Sequence, residues 1–260
     1  MAADHAEGAI GPDHARRNDA HIRKTLFRLM RGSRALPWLL LAPALTATVL
    51  LVLAPVAETL WLSLHEVILF RPRVRPFVGL TNYAAVVVDP VFWDSFGHSL
   101  VWVITAVALQ FLIGLGAALL LNRNFAWRGI ARALVIVPWA LPSVIIGLVW
   151  TWMLDFNLGI INQIGVRIGL LDAPIAWLAR PNTAMAAVIL AVVWQGFPFF
   201  CVTLLAGLQA IPREHYEAAS IDGAGRVATF AHVTLPGLEP VIATALLLRM
   251  IWVANSLDLI

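Results

Sequence analysis

The sequence predicts an all-α integral membrane protein, a polytopic helical bundle, on three observations. Apolar residues make up 60% of the chain and charged residues 13%, against roughly 45–50% and about 25% in soluble domains. Five apolar runs, at about 36–64, 99–121, 133–154, 184–207 and 238–260, each reach the length of roughly 20 residues that a helix needs to cross the hydrocarbon core. Basic residues are shared unequally between the segments that separate these runs. A soluble core built from 260 residues would not hide this much apolar surface with so few charges, and lipid is the solvent that accepts it.

Residues 1–20 are polar and rich in Ala, Asp and His, the composition of a disordered segment. In 21–31, Ile22, Leu26, Leu29 and Met30 recur at helical spacing opposite Arg23, Lys24, Arg28 and Arg31. That pattern fits a short interfacial helix on an anionic membrane, and it fits a plain basic anchor equally well. Seven of the 18 basic residues precede the first run. The net charge of +3 therefore does not speak for nucleic acid, because no basic face with interleaved aromatics occurs outside this tail. The first run is far longer than the apolar part of a cleaved signal peptide and reads as a span. Residues 1–35 are thus expected to be a cytoplasmic tail and 36–260 the membrane domain.

With the N-terminus inside, the cytoplasmic segments 1–35, 122–132 and 208–237 hold twelve basic residues and the outer segments 65–98 and 155–183 hold five. The bias supports that orientation. Trp38, Trp61, Trp93, Trp102, Trp127, Trp150 and Trp152 lie near run ends, as interfacial aromatics do. In the first run, Pro37, Pro43 and Pro55 predict a kink or an irregular start. In the fourth, Gln195 beside Gly196 and Pro198 predicts a break at a cavity.

Polar residues inside spans are expensive, which makes Glu58, Gln110, Gln195, Arg249, Asn255 and Asp258 candidates for function. Glu58 and Asp258 fall near outer run ends, where simple exposure is an equal alternative. Gln110 fits interhelical hydrogen bonding. Arg249 has three open roles: pairing with an acid, lining a solute path, or snorkelling. Cys201 is the only cysteine, the seven histidines lack metal-ligand spacing, and no Gly-x-x-x-x-Gly-Lys phosphate loop is present. No cofactor, metal site or catalytic constellation is expected.

The segment 208–237 is the one long cytoplasmic loop. Pro212 suits a first helical turn and Gly223 a left-handed stop. A second short helix is expected from Arg226 to Val233, with Pro236 discouraging continuation into the fifth span. The loop contains Glu217-Ala218-Ala219, two residues, Asp222-Gly223-Ala224, then Val233 and Leu235-Pro236. In order and spacing it resembles the loop by which permeases of ATP-binding-cassette importers engage their ATPase.

The likeness extends over roughly residues 36–260. Phe77-Val78-Gly79-Leu80-Thr81-Asn82-Tyr83, Asp89-Pro90 and Phe92-Trp93 look like the first external loop of maltose-type sugar permeases, the first of the two permease subunits in such systems. Trp252 to Ile260 is similar to their fifth-span segment, with Leu257 where Phe is usual. The resemblance implies the type I importer permease fold, with five spans visible and a sixth expected beyond the chain end. It implies a non-catalytic permease of the bacterial inner membrane that imports a sugar or other solute by alternating access. The implied partners are a second permease, two ATPase subunits, an extracytoplasmic solute-binding protein and membrane lipid.

The residues it implicates in ATPase coupling are Tyr216, Glu217, Ala218, Ala219, Asp222, Gly223, Ala224, Leu235 and Pro236, within 211–236. Those for the substrate path are Gln195, Phe199, Arg249, Trp252, Asn255 and Asp258. A secondary transporter driven by an ion gradient is the alternative, and the lack of mid-span Asp or Glu counts against it.

The charge asymmetry yields a test of orientation. A His215→Cys variant should resist a membrane-impermeant thiol reagent in sealed cells and react after permeabilisation. Ready labelling from outside would overturn the orientation.

Overall fold

The computed structural model describes residues 36–68, 70 and 75–255. The N-terminal tail, with its candidate interfacial helix at 21–31, and Asp258 lie outside the described residues. The chain divides into two compact units, residues 1–89 and 90–260.

In the first unit, α1 (Leu36–Thr48) passes through a π-helical turn (Val49–Leu53) into α2 (Ala54–Ser63). The irregularity expected from the prolines takes this form. Pro55 has no N–H and its ring would press on the preceding carbonyl, so the chain widens by one residue, with Ala54 N–H donating to Val49 C=O. After α2 the chain folds back, as Val78 N–H reaches Leu64 C=O (2.9 Å). Asn82, at the start of α3 (Thr81–Val88), donates through Nδ2 to the carbonyls of Ser63 (2.9 Å) and His65 (3.0 Å), and Tyr83 Oη meets Ser63 Oγ at 2.7 Å. The Asn-Tyr pair of the external-loop motif thus pins that loop to the end of α2.

The second unit holds α4 (Pro90–Leu121), α5 (Arg128–Ala140), α6 (Ser143–Met153), α7 (Ile160–Arg167), α8 (Pro181–Ala210), α9 (Arg213–Ile221), α10 (Arg226–Thr229) and α11 (Leu235–Asn255). Proline at the first position starts α4 and α8, where its missing N–H costs nothing. Among the described residues, four helical stretches are long and apolar enough to cross a membrane, or five with α5 and α6 counted as one broken span.

Three expectations are corrected. The third run is no simple span, because α5 and α6 are bent by 96° at Leu141-Pro142. Leu141, forced out of helical geometry by the proline that follows it, is extended at ψ 140°. The fourth span is unbroken: α8 runs through Gly196 and Pro198, and close packing holds the helix where no water would reward unwinding. Finally, Pro236 does not separate the loop from the fifth span. The chain passes from α10 through a second π turn, Phe230–Thr234, straight into α11, with Leu235 N–H donating to Phe230 C=O. A π turn directly before proline solves the same clash at Pro55 and Pro236.

The core of this unit is the pairing of α4 with α8. Ala106, Ala118, Phe200 and Leu204 are fully enclosed, and Leu238, Ala245 and Val253 of α11 complete the cluster. Gly114 permits the approach, since a Cβ there would overlap Phe200 and sit 2.9 Å from the Phe197 carbonyl oxygen. Between α6 and α8 the chain is ordered by Asn162, which is 2% exposed. Its Nδ2 donates to Ile175 C=O (2.9 Å), while Oδ1 accepts from Ile175 N–H (3.1 Å) and Trp177 Nε1 (2.8 Å).

Gly114 and Gly116 on α4 differ in a measurable way. Gly114→Leu should cost about 1–3 kcal/mol through overpacking and lower the thermal midpoint of the detergent-purified protein. Gly116→Ala, with nothing within 4 Å of the added Cβ, should hold or slightly raise that midpoint, since alanine is the better helix former. Equal midpoints for the two variants would refute the close α4–α8 contact.

Candidate functional site

Two sets of candidate residues come together in the second unit. The first lies halfway along α8. Gln195 and Phe199 share one face of that helix, four residues apart. Gln195 Nε2 donates to Ser143 Oγ (3.3 Å) at the start of α6. The Phe199 ring packs against Trp252 of α11 (centroids 5.2 Å apart, planes at 60°) and against Trp139 of α5 (6.2 Å, 63°). Phe199 itself is 9% exposed, whereas Trp139 and Trp252 leave 45% and 46% of their surface open. The bend between α5 and α6 is what presents Trp139 and Ser143 to α8. Neither was singled out from sequence, although Trp139 immediately precedes the Ala140-Leu141-Pro142 break.

Arg249 sits one turn from Trp252 on α11. Its Nε donates to Gln110 Oε1 (2.7 Å), and Gln110 Nε2 donates to Val192 C=O (2.9 Å). Gln110 is fully buried. The guanidinium and the amide lie over Gly196, where a Cβ would overlap both Arg249 Nη2 and Gln110. Gly196 is therefore a contact point of three helices, and Gln110 carries the interhelical role expected of it. Arg249 pairs with a neutral amide, a contact that none of the three roles named from sequence includes. Asn255 stays outside this cluster, donating from Nδ2 to Ile251 C=O (2.7 Å) on its own helix.

The second set forms an elbow between α8 and α11. Pro212, at φ −58° and ψ 138°, stands just before α9 rather than within its first turn. At the other end Gly223 has φ +74°. Ala224 N–H donates to Ala219 C=O (2.9 Å) and Gly223 N–H to Ser220 C=O (3.1 Å). This paired closure is the Schellman stop, and its left-handed residue carries no penalty only as glycine. Tyr216 Oη meets Thr234 Oγ1 at 3.3 Å and ties α9 to the π turn before Pro236. Leu235 and Pro236 are exposed at the start of α11.

Ala218, Ala219 and Ala224 line a concavity of about 670 Å³ with Ile211, His215 and His232. Ala219 and Ala224 are half-buried, while Glu217, Ala218 and Asp222 are exposed. Ile221 and Val227 are 87% and 82% exposed. These two large aliphatic side chains flank the positive-φ turn at Gly223. The sequence reading passed over both because single apolar residues in a loop are common.

Residues 110–260 match the family described as binding-protein-dependent transport system inner membrane component. The trehalose/maltose transport system permease protein MalF of Thermococcus litoralis is 40% identical over 225 residues, 86% of this chain and 75% of that protein. The sulfoquinovosyl glycerol transport system permease protein SmoG of Agrobacterium fabrum is 37% identical, covering 88% and 73%. A chain of a bacterial ABC transporter involved in import of the acidic polysaccharide alginate superposes with a TM-score of 0.73 at 21% identity, covering 89% and 77%.

The Gln110–Arg249 contact generates a double-mutant test. Gln110→Leu leaves a part-buried guanidinium without its acceptor and should cost about 1–3 kcal/mol. Gln110→Leu with Arg249→Met removes both partners and should recover most of that loss. Additive losses in thermal midpoint would show that the two side chains are not coupled.

Proposed function

This chain belongs to the family of binding-protein-dependent transport system inner membrane components, and we propose that it forms half of a sugar or oligosaccharide pathway driven by ATP hydrolysis on separate subunits. It is a multi-pass component of the inner membrane and carries no ATPase chemistry itself. The single observation that carries the coupling reading is the elbow: a short helix closed by a glycine at φ +74°, tethered to α11 through Tyr216 and Thr234, with its outer surface exposed.

Motion at that helix has two rigid outlets, α8 behind it and α11 ahead of it. The absence of a break at Pro236 makes α10, the π turn and α11 one continuous lever. Glu217, Ile221 and Val227 offer a charged and apolar docking face to a nucleotide-binding partner. Asp222 ends α9 with an exposed carboxylate that is open to such a partner. In this reading the elbow faces the cytoplasm, and an external binding protein delivers substrate to the loops 65–98 and 155–183. The spans open outward and inward in turn.

The route for substrate passes the mid-span cluster. Gln195 and Ser143 supply hydrogen-bonding groups, and Trp139 and Trp252 supply exposed aromatic faces, the combination that hydroxyl-rich solutes require. The transport of trehalose, maltose and sulfoquinovosyl glycerol by the similar permeases favours a carbohydrate. Phe199 supports the tryptophans from beneath.

The elbow can be tested with Gly223→Val, Ala219→Trp and Glu217→Lys in the assembled transporter. Valine at a positive φ strains the turn by about 1–3 kcal/mol, tryptophan fills the concavity, and lysine reverses the docking charge. Each variant should insert normally and lose most uptake in vesicles, through release of the ATPase subunit or through hydrolysis no longer stimulated by loaded binding protein. Intact assembly with intact coupled uptake in all three would refute the elbow as the transmission.

A further inference from the structure

We propose that the cleft between the start of α5 and the end of α8 binds the phosphate of an anionic phospholipid between Arg128 and Arg132, with an acyl chain in the groove below. This rests on the reading above only in assigning that end of the bundle to the cytoplasmic leaflet.

Arg128 and Arg132 are one helical turn apart on α5 and project from the same face. Arg128 Nη1 donates to Asn124 Oδ1 (3.2 Å). With the Gln209 amide oriented to turn its oxygen toward them, Oε1 accepts from both Arg132 Nη2 (2.9 Å) and Arg128 Nη2 (3.2 Å). Two cations therefore converge on one neutral oxygen. The Nε atoms of both arginines are shut off from solvent without an acceptor. Among the described residues no carboxylate bonds to either side chain. The arrangement has neutral acceptors only and lacks a negative charge, which a phosphate supplies with several oxygens for a forked donor.

The chemistry below the arginines selects a lipid over a water-soluble anion. Leu121, Val135, Ile136, Val202 and Leu205 line a cavity of about 240 Å³ with Arg132 and Gln209 at its rim. A cationic rim above an aliphatic groove has the two-part character of an amphiphile. Ile136 and Val202 are 41% and 40% exposed, so the groove opens sideways from the bundle. Trp127, next to Arg128 and 71% exposed, is the type of residue that settles at headgroup level. Basic pockets between membrane helices on the cytoplasmic side bind anionic headgroups.

The experiment uses the complete transporter, with its partner subunits, in phosphatidylcholine nanodiscs doped with phosphatidylglycerol. Retained lipid is counted by native mass spectrometry after extraction. Arg128→Gln with Arg132→Gln should lower phosphatidylglycerol retention by about fivefold for each arginine removed. Arg128→Lys with Arg132→Lys should keep most of it, and Arg167→Gln, at the other end of the bundle, should match the parent.

A photoactivatable phosphatidylglycerol on the unmutated complex gives a second arm that needs no variant, and it should label 128–136 and 202–209. Undiminished retention in the Gln pair, or labelling confined to other segments, would overturn the site. So would release of a partner subunit by the Gln pair from a parent complex that holds no phosphatidylglycerol, since the arginines would then serve a protein carboxylate. Lipid retention is read without transport, so failure here leaves the importer reading untouched and the reverse also holds.

Discussion

A guanidinium in the middle of a membrane bundle constrains everything around it. Arg249 is held by one neutral amide, Gln110, which is itself fixed to the Val192 carbonyl. For these three groups to meet, α8 must offer a residue without a side chain, and Gly196 is that residue. One hydrogen-bonded chain thus sets the mutual placement of α4, α8 and α11. Hydrocarbon offers no substitute donor or acceptor, so the contact cannot slide without leaving polar groups unsatisfied. Phe199 and Trp252 of the aromatic cluster each lie one helical turn from this contact, along α8 and α11.

Proline shapes the remaining backbone in two distinct ways. At Leu141-Pro142 it turns the third apolar run through 96° and brings Trp139 and Ser143 against α8. At Pro55 and Pro236 the helix widens into a π turn and carries on. The second of these matters for force. A break at Pro236 would have isolated the elbow from α11, whereas the π turn leaves a continuous path from Arg226 to Asn255. The Schellman closure at Gly223 fixes the other side of the same elbow, so its outer face moves with the two helices that flank it.

Much of this was legible in residue order. The apolar runs located the long helices, and the second and fourth proved longer than their apolar cores because a proline at the first helical position started each one earlier. Gly223 was legible as a left-handed stop, and Gln110 as a bond between helices. The Asn82-Tyr83 pair was legible only as part of a motif, since its partners at Ser63 and His65 lie about twenty residues back. Asn162 gave no signal at all, because a lone asparagine in a polar loop looks the same whether it is solvated or organises its surroundings.

Hydropathy, charge bias and spacing, the properties that sum along a chain, determined by themselves that this protein is an all-helical membrane component with an elbow between its fourth and fifth apolar runs. Tertiary structure alone decided what Arg249 pairs with, which prolines bend and which are absorbed, and that Trp139 and Ser143 join Gln195, Phe199 and Trp252. Those outcomes depend on distances between residues far apart in sequence. A proline's local clash is the same at Pro142 and at Pro236, yet the chain bends at one and widens into a π turn at the other.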